Sequence, residues 1–245
     1  MLRGKLFRSV TEKNFRHRGK EILRIEALSD AVFAFSVSLL VASLEVPQTF
    51  HELKLITKGA IPFFLTIALI FLFWYRQYVF FRRYGLNDFF TIVFNLAYLA
   101  VILFYIYPLK FLFSLLISSW FKIDLFPKAT EKGWVVLSNE EFPQLIILFS
   151  IGYFFIWFIV YLLHRHVLRL SSTFSFTRFE TLFTQKERRG ALWNSLIGLL
   201  ALCFAYFGWE MFSGICYLFI PVLLFVNQYM FKSSLKKISK GGNIL

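Results

Sequence analysis

The stretch RIEALSDAVFAFSVSLLVASL, residues 24–44, predicts a membrane-spanning helix with a polar inner end. A helix needs about 20 mostly apolar residues to cross a bilayer, and this stretch supplies them. Glu26, Ser29 and Asp30 nevertheless stand in its first two turns. Acidic residues at membrane depth are costly and mark function or a buried pair. We therefore expect this helix to be the functional element of the chain.

Five further stretches are long and apolar enough to span a bilayer. Pro108 lies inside the third span and is expected to end or kink it. All six are too long for strands, so the chain is predicted to be an all-α, polytopic membrane protein with six transmembrane helices and one domain, 1–245. The five stretches run over about Ala60 to Phe81, Phe89 to Leu116, Leu145 to Leu163, Ala191 to Trp209 and Gly214 to Phe231.

The composition agrees with a lipid environment. Of the 245 residues, 58% are hydrophobic, only 17% are charged and 34 are Phe. A soluble chain would carry about a quarter charged residues. The formal net charge of +13 could suggest nucleic acid, but the basic residues lie between apolar blocks, so membrane topology accounts for them better.

The distribution of Lys and Arg predicts the orientation. The N-terminal segment, the second and fourth connections and the C-terminal tail carry 8, 2, 6 and 4 of these residues, 20 together, and the opposite side carries 6. Cytoplasmic segments carry the excess of Lys and Arg. Both termini are therefore expected in the cytoplasm, with the protein a multi-pass component of the cell membrane.

The first helix is expected to have two faces turned away from lipid. At about 100° per residue, one face centres on Asp30 and is expected to carry buried acid. An adjacent stripe consists of small, apolar and hydroxyl residues and ends in an acid at the outer end of the helix. The first face also holds Glu26, Ala34, Val37 and Val41. The stripe holds Ala31, Phe35, Ser38, Ala42 and Glu45.

Arg76 is a second charge within a predicted span. It lies six residues before Arg82, and Asp30 lies six residues after Arg24, at matching depths on antiparallel helices. At 1.5 Å per residue, both would sit ~9 Å inside their basic flanks. The sequence therefore predicts an Asp30–Arg76 ion pair; the alternative is that Arg76 extends to the inner interface.

The residues Arg24-x-x-x-Leu28-Ser29-Asp30, with the helix ending in Glu45-Val46-Pro47, resemble the first helix of the prokaryotic transmembrane protein 175 potassium channels. The signature of that family is Arg-x-x-x-Phe-Ser-Asp, so Leu28 departs from it. Family members usually carry a His near the position of Arg76, which is a second departure.

The resemblance implies a homotetramer whose first helices line a central pore, with potassium and other monovalent cations as permeant ions. It places a pore constriction at Phe35 and ion selectivity at Ser38. The stripe adds Ala31 and Ala42 to the pore lining and Glu45 to the outer mouth. No Thr-Val-Gly-Tyr-Gly filter occurs in the chain.

The motif residues have a different expected role: they hold the first helix against its neighbours. These residues are Arg24, Leu28, Ser29, Asp30 and Arg76. Simpler interpretations remain open for the stripe, because Ser38 could bond to the carbonyl four residues earlier and Phe35 could be ordinary packing.

Another class of function is a proton-coupled secondary transporter that titrates Asp30 or Glu26. The absence of interrupted helix pairs in the sequence disfavours it. We find no cluster of His, acidic, Ser or Lys residues at membrane depth that would suit an enzyme. No metal site or cofactor is expected, and the expected partners are further copies of the chain, membrane lipid and cations, not nucleic acid.

Overall fold

Nine α-helices account for most of the residues that the computed structural model describes, which are 15–44, 46–138 and 140–240. In chain order they are α1 (Arg24–Ala42), α2 (Phe50–Lys58), α3 (Ala60–Tyr84), α4 (Phe89–Phe121), α5 (Pro127–Glu131), α6 (Phe142–Arg169), α7 (Arg178–Tyr206), α8 (Glu210–Leu218) and α9 (Ile220–Lys240).

Within these described ranges, six segments are long and apolar enough to cross a membrane, which confirms the six predicted spans. Five of them are the single helices α1, α3, α4, α6 and α7, and the sixth, Met211–Lys236, covers α8 and α9 together. The first helix packs on α3 and α4, and α6 with α7 forms the most extensive helix pair. The chain is thus a helical bundle with α1 on its edge.

The helices extend beyond the stretches that hydropathy marks. Helix α7 begins at Arg178 instead of Ala191, and α4 continues through Pro108 to Phe121. Thr177 caps α7 by accepting a hydrogen bond from the Glu180 amide. Hydropathy cannot detect such polar first turns, since capping residues are hydrophilic by nature.

The sixth span is interrupted. Helix α8 ends at Leu218 and α9 begins at Ile220. Pro221 lacks the amide proton that a continuous helix would donate to the carbonyl of Tyr217, so the break falls in the turn before the proline.

A glycine turn and a helix cap define the junction between α3 and α4. Helix α3 ends because Gly85 adopts φ 60°, which favours glycine. Asp88 then caps α4 by accepting from the Thr91 amide and hydroxyl, and it also contacts His166 at 2.8 Å. Burial alone would raise the pKa of the Asp88 carboxyl, but the Thr91 hydrogen bonds and nearby His166 outweigh it and hold the pKa below its usual value.

Candidate functional site

One face of α1 is buried within the subunit. Ile25, Ser29, Phe33, Ser36 and Leu40 all lie on it, with Leu40 and Ser36 fully inaccessible. Their spacing of three and four residues places them on a single helical stripe. The face packs against α3 and α4, so these two helices fix the rotation of α1 about its axis.

The stripe singled out by the sequence lies on the opposite side of α1. Ala31, Phe35, Ser38 and Ala42 are all exposed on the single subunit, and Phe35 is 57% exposed. At about 100° per residue, their mean direction is about 150° from that of the buried face. Glu45, expected at the outer end of this stripe, lies outside the described residues. The stripe is therefore free to face lipid, another subunit or a pore.

The expected face of buried acid around Asp30 is correct for Glu26 and wrong for Asp30. Asp30, Ala34 and Val41 are exposed, and only Glu26 on that face is buried. The rotation of α1 about its axis explains the exposure of Asp30. The helix packs against its neighbours through the side that carries Ser29, so Asp30 lies beside this contact and not within it. Glu26 accepts a hydrogen bond from the Leu23 amide at 3.3 Å, at the start of the helix.

The predicted Asp30–Arg76 ion pair is also wrong. Asp30 accepts a 2.7 Å hydrogen bond from the Trp74 indole nitrogen. Arg76 pairs instead with Glu187 on α7 at 3.3 Å, and its guanidinium lies 4.6 Å from the Trp157 ring. Residues two apart on a helix point about 200° apart, so Trp74 faces α1 while Arg76 faces away from it.

Ser29 belongs to a buried polar cluster at the junction of α1, α3 and α4. The Gln77 side-chain amide donates to the Ser29 hydroxyl at 2.7 Å and also to the Asn95 carbonyl oxygen. Asn95 donates to the Ser29 hydroxyl at 3.0 Å, and that hydroxyl donates to the Ile25 carbonyl. Asn95 thus bonds between helices, as its place within a span suggests. Gln77 has no marker in the sequence beyond its polarity within an apolar span.

Replacing Asn95 with Ala should destabilise the fold by about 1–3 kcal/mol, because it leaves buried groups on Gln77 and Ser29 with fewer partners. Thermal unfolding of the purified protein in detergent, followed by loss of the monodisperse chromatographic peak, measures the change. Asn87 is exposed, so Asn87→Ala is the matched control and should unfold as the wild type does. Equal midpoints for the two variants would contradict a structural role for the cluster.

The remaining motif residues, Arg24 and Leu28, lie in the N-terminal part of α1 and are exposed, Leu28 by 46%. The resemblance predicts that they hold α1 against neighbours. Their exposure on the single subunit leaves such contacts to a second copy of the chain, and this part of the motif stays a prediction.

An N-terminal strap, residues 15–20, precedes α1 and packs against the end of α3 and the start of α7. Phe15 is buried against Tyr84 and Phe183, with ring centroids 5.7 Å apart in both pairs. The amides of Arg18 and Gly19 donate to the carbonyls at the end of α3. Any Cβ on Gly19 would lie 2.4 Å from a backbone oxygen, so only glycine permits this approach.

Glu180 anchors the strap. Its carboxylate is fully inaccessible and accepts from the Arg16 amide at 2.9 Å and from the Arg18 guanidinium at 3.0 and 3.2 Å. The Arg18 guanidinium also lies 4.6 Å from the Phe176 ring. The sequence shows only a basic flank here, and the distant acid that binds it carries no sequence signal. The strap ties the start of α1 to α7.

Among the described residues, no group of three His, Cys, Asp or Glu side chains is close enough to hold a metal ion. His164 bonds to the Val160 carbonyl one turn earlier, and His166 bonds to Asp88. These two histidines therefore have structural partners.

Comparison with known proteins connects this bundle to a family. A family model described as "Endosomal/lysosomal potassium channel TMEM175" matches residues 24–105, which contain α1, α2, α3 and the first half of α4. A curated relative from Marivirga tractuosa, named as a potassium channel, is 32% identical over 239 residues, covering 94% of this chain and 97% of the relative.

A solved structure supports membership of the same family. The crystal structure of a variant of the potassium channel MtTMEM175, in complex with a nanobody–MBP fusion protein, matches with a TM-score of 0.78 and 31% identity. The match covers 90% of this chain and 97% of the other. Nearly the full length of both relatives is thus shared in sequence and in fold, and the chain belongs to the TMEM175 family.

Proposed function

We propose that the chain is the subunit of a potassium-permeable channel, a homotetramer whose central pore is lined by α1. The observation that carries the proposal is the exposed stripe of Ala31, Phe35, Ser38 and Ala42 opposite the buried face of α1. The relatives that cover nearly the whole chain are named as potassium channels, and this supports potassium as the permeant ion. Such a family calls for no enzyme chemistry.

In this channel, Phe35 forms the constriction. Four phenylalanine rings around an axis make an apolar neck, and such a neck blocks ions by excluding water until it widens. The phenylalanine is free for this role because the subunit does not use it for packing, as its 57% exposure indicates. Gating then consists of widening and wetting at this level.

Ser38 lies one turn outward and meets the ion. Its hydroxyl donates to the Ala34 carbonyl at 3.1 Å, so its oxygen lone pairs are free to face the pore axis. Four such oxygens can replace part of the hydration shell of a cation. Ala42 continues the lining outward, and Glu45 at the outer mouth raises the local concentration of cations.

The contacts of the acids in α1 support a channel over a proton-coupled transporter. Asp30 accepts from Trp74, which holds α1 to α3, and Glu26 bonds to the backbone at the start of its own helix. Both carboxylates therefore make structural hydrogen bonds. The excess of Lys and Arg in the terminal segments and in the second and fourth connections supports an orientation with both termini in the cytoplasm, for a multi-pass membrane protein of one domain.

Ion flux into liposomes that contain the purified protein tests this function. Potassium should move down its electrochemical gradient, and no second solute should be required. Flux that depends strictly on a proton gradient would refute the channel. Cross-linking of the reconstituted protein to a tetrameric mass tests the assembly, and a stable monomer would refute the central pore.

Replacing Ser38 with Ala should lower the preference for potassium over sodium by about threefold to tenfold, where tenfold corresponds to ~1.4 kcal/mol. Ser36 makes the same type of bond, to the Val32 carbonyl at 2.8 Å, but on the buried face, so Ser36→Ala is the matched control. Reversal potentials under bi-ionic conditions measure the preference. An unchanged preference in Ser38→Ala would remove Ser38 from the ion path.

A further inference from the structure

Lys110 is a charged residue of α4 that contacts the C-terminal end of α1. Its ammonium donates a hydrogen bond to the Ser43 hydroxyl at 2.6 Å, and that hydroxyl donates to the Leu40 carbonyl, also at 2.6 Å. Ser43 caps the end of α1 and directly follows Ala42 of the exposed stripe. The positive charge of Lys110 is therefore held at the end of the candidate pore helix.

Lys110 does not lie at the end of its own helix. Helix α4 continues beyond it to Phe121, a further ~16 Å at 1.5 Å per residue. The residue is half-buried. A lysine within a membrane-spanning helix is costly, and by default such a residue marks a function. Its contact with Ser43 connects this lysine to the helix that carries the candidate pore lining.

The end of α1 that Lys110 contacts carries a partial negative charge. The last carbonyls of a helix have no partner in the helical hydrogen-bond pattern, and the aligned peptide dipoles amount to about −0.5 charge at that end. The last turn of α1 contains no basic residue, whereas the last turn of α3 contains Arg82 and Arg83. Lys110 thus supplies from a neighbouring helix the cation that α1 itself lacks.

The charge at this position matters most where cations enter the proposed pore. In the proposed tetramer, four ends of α1 surround the outer mouth and attract potassium. Glu45, two residues beyond Ser43 in the sequence, adds to that attraction. Four ammonium groups at the same level oppose it. Lys110 therefore acts on the potential at the mouth as well as on the packing of α4 against α1.

We infer that Lys110 sets the electrostatic barrier to cation entry at the outer mouth: its ammonium offsets the negative end of α1 and thereby limits potassium conductance. This inference rests on the proposed function, because it requires α1 to line the pore. Lys110 touches no permeant ion in this scheme. It acts through the potential that an approaching cation meets.

The dependence of conductance on salt tests this role. Lys110→Met removes the charge and keeps an unbranched side chain. At about 10 mM KCl the Debye length is about 30 Å, so the variant should conduct potassium about twofold to fivefold better than the wild type in planar bilayers. At about 1 M KCl the Debye length is about 3 Å, and the two proteins should conduct alike.

Two further substitutions of Lys110 separate its charge from its packing. Lys110→Arg keeps the charge and should conduct as the wild type does at both salt concentrations. Lys110→Glu reverses the charge and should exceed Lys110→Met at low salt. A conductance that falls by the same factor in Lys110→Met at both concentrations would show that the residue only positions α1, and this would overturn the inference.

Lys132→Met is the matched control. Lys132 is exposed in the connection between α4 and α6, where its ammonium lies 4.5 Å from the Trp134 ring. The variant should conduct as the wild type does, and an equal rise in both Met variants would overturn a specific role of Lys110. A conducting wild type that Lys110→Met merely equals at low salt refutes this inference alone. A wild type that conducts no potassium refutes the proposed function, and the inference with it.

Discussion

Replacing Phe35 with Ala should raise potassium flux by about tenfold or more, since lowering a permeation barrier by only ~1.4 kcal/mol has that effect on a rate. In the proposed tetramer, the substitution removes four rings at once from the pore. Because the side chain is largely exposed on the subunit, the fold should survive its loss. Single-channel recording in a planar bilayer, together with liposome flux, measures the change.

Phe104→Ala is the matched control for Phe35→Ala. Phe104 lies on α4 and is 69% exposed, so the substitution removes the same ring from an accessible position outside α1. It should leave flux unchanged. An increase in both variants would reflect general loosening of the bundle, and unchanged flux in Phe35→Ala would refute the constriction.

Replacing Glu180 with Ala should lower the free energy of unfolding by about 3–5 kcal/mol, because removing one partner of a buried ion pair leaves the other charge unsatisfied. The carboxylate is fully inaccessible and Arg18 is only 17% exposed, so solvent screens this pair little. Arg16 is 60% exposed and contributes little to the loss. The unfolding midpoint should fall on the order of 10 °C.

Thermal unfolding in detergent measures this loss, with Glu180→Gln as an intermediate variant that keeps part of the hydrogen bonding. Glu141→Ala is the control, because that acid is exposed and bonds only to nearby Ser138. A midpoint for Glu180→Ala that matches the control would show that the strap adds nothing to stability. Limited proteolysis should also cut the strap faster in the Glu180 variants.

The fold could be predicted from the sequence to the level of six spans, because membrane helices must be long and apolar and the connections must carry the charge. The ends could not. Helix α7 starts with a capped, charged turn at Arg178, and the sixth span breaks before Pro221. Both features depend on hydrogen bonds of the backbone, which hydropathy does not measure.

The candidate site could be predicted from the sequence only in part. Helical periodicity predicted that Ala31, Phe35, Ser38 and Ala42 share one face of α1, since residues at a repeat of 3.6 do so. The partner of Asp30 could not be predicted in this way, because equal depth in the membrane leaves the rotation of α3 about its own axis undetermined. Trp74 and Arg76 lie two residues apart, and only packing decides which of them faces α1. Glu187 was hidden in the segment that hydropathy assigned to a connection.

The strap also constrains the order of events during biosynthesis. Arg18 and Glu180 lie 162 residues apart in the chain. At about 5–20 residues per second, a ribosome takes on the order of ten seconds to half a minute to make that interval. Throughout that interval Arg18 lacks its partner Glu180, so the strap cannot be anchored. Closure of the strap thus cannot precede synthesis of the first turn of α7.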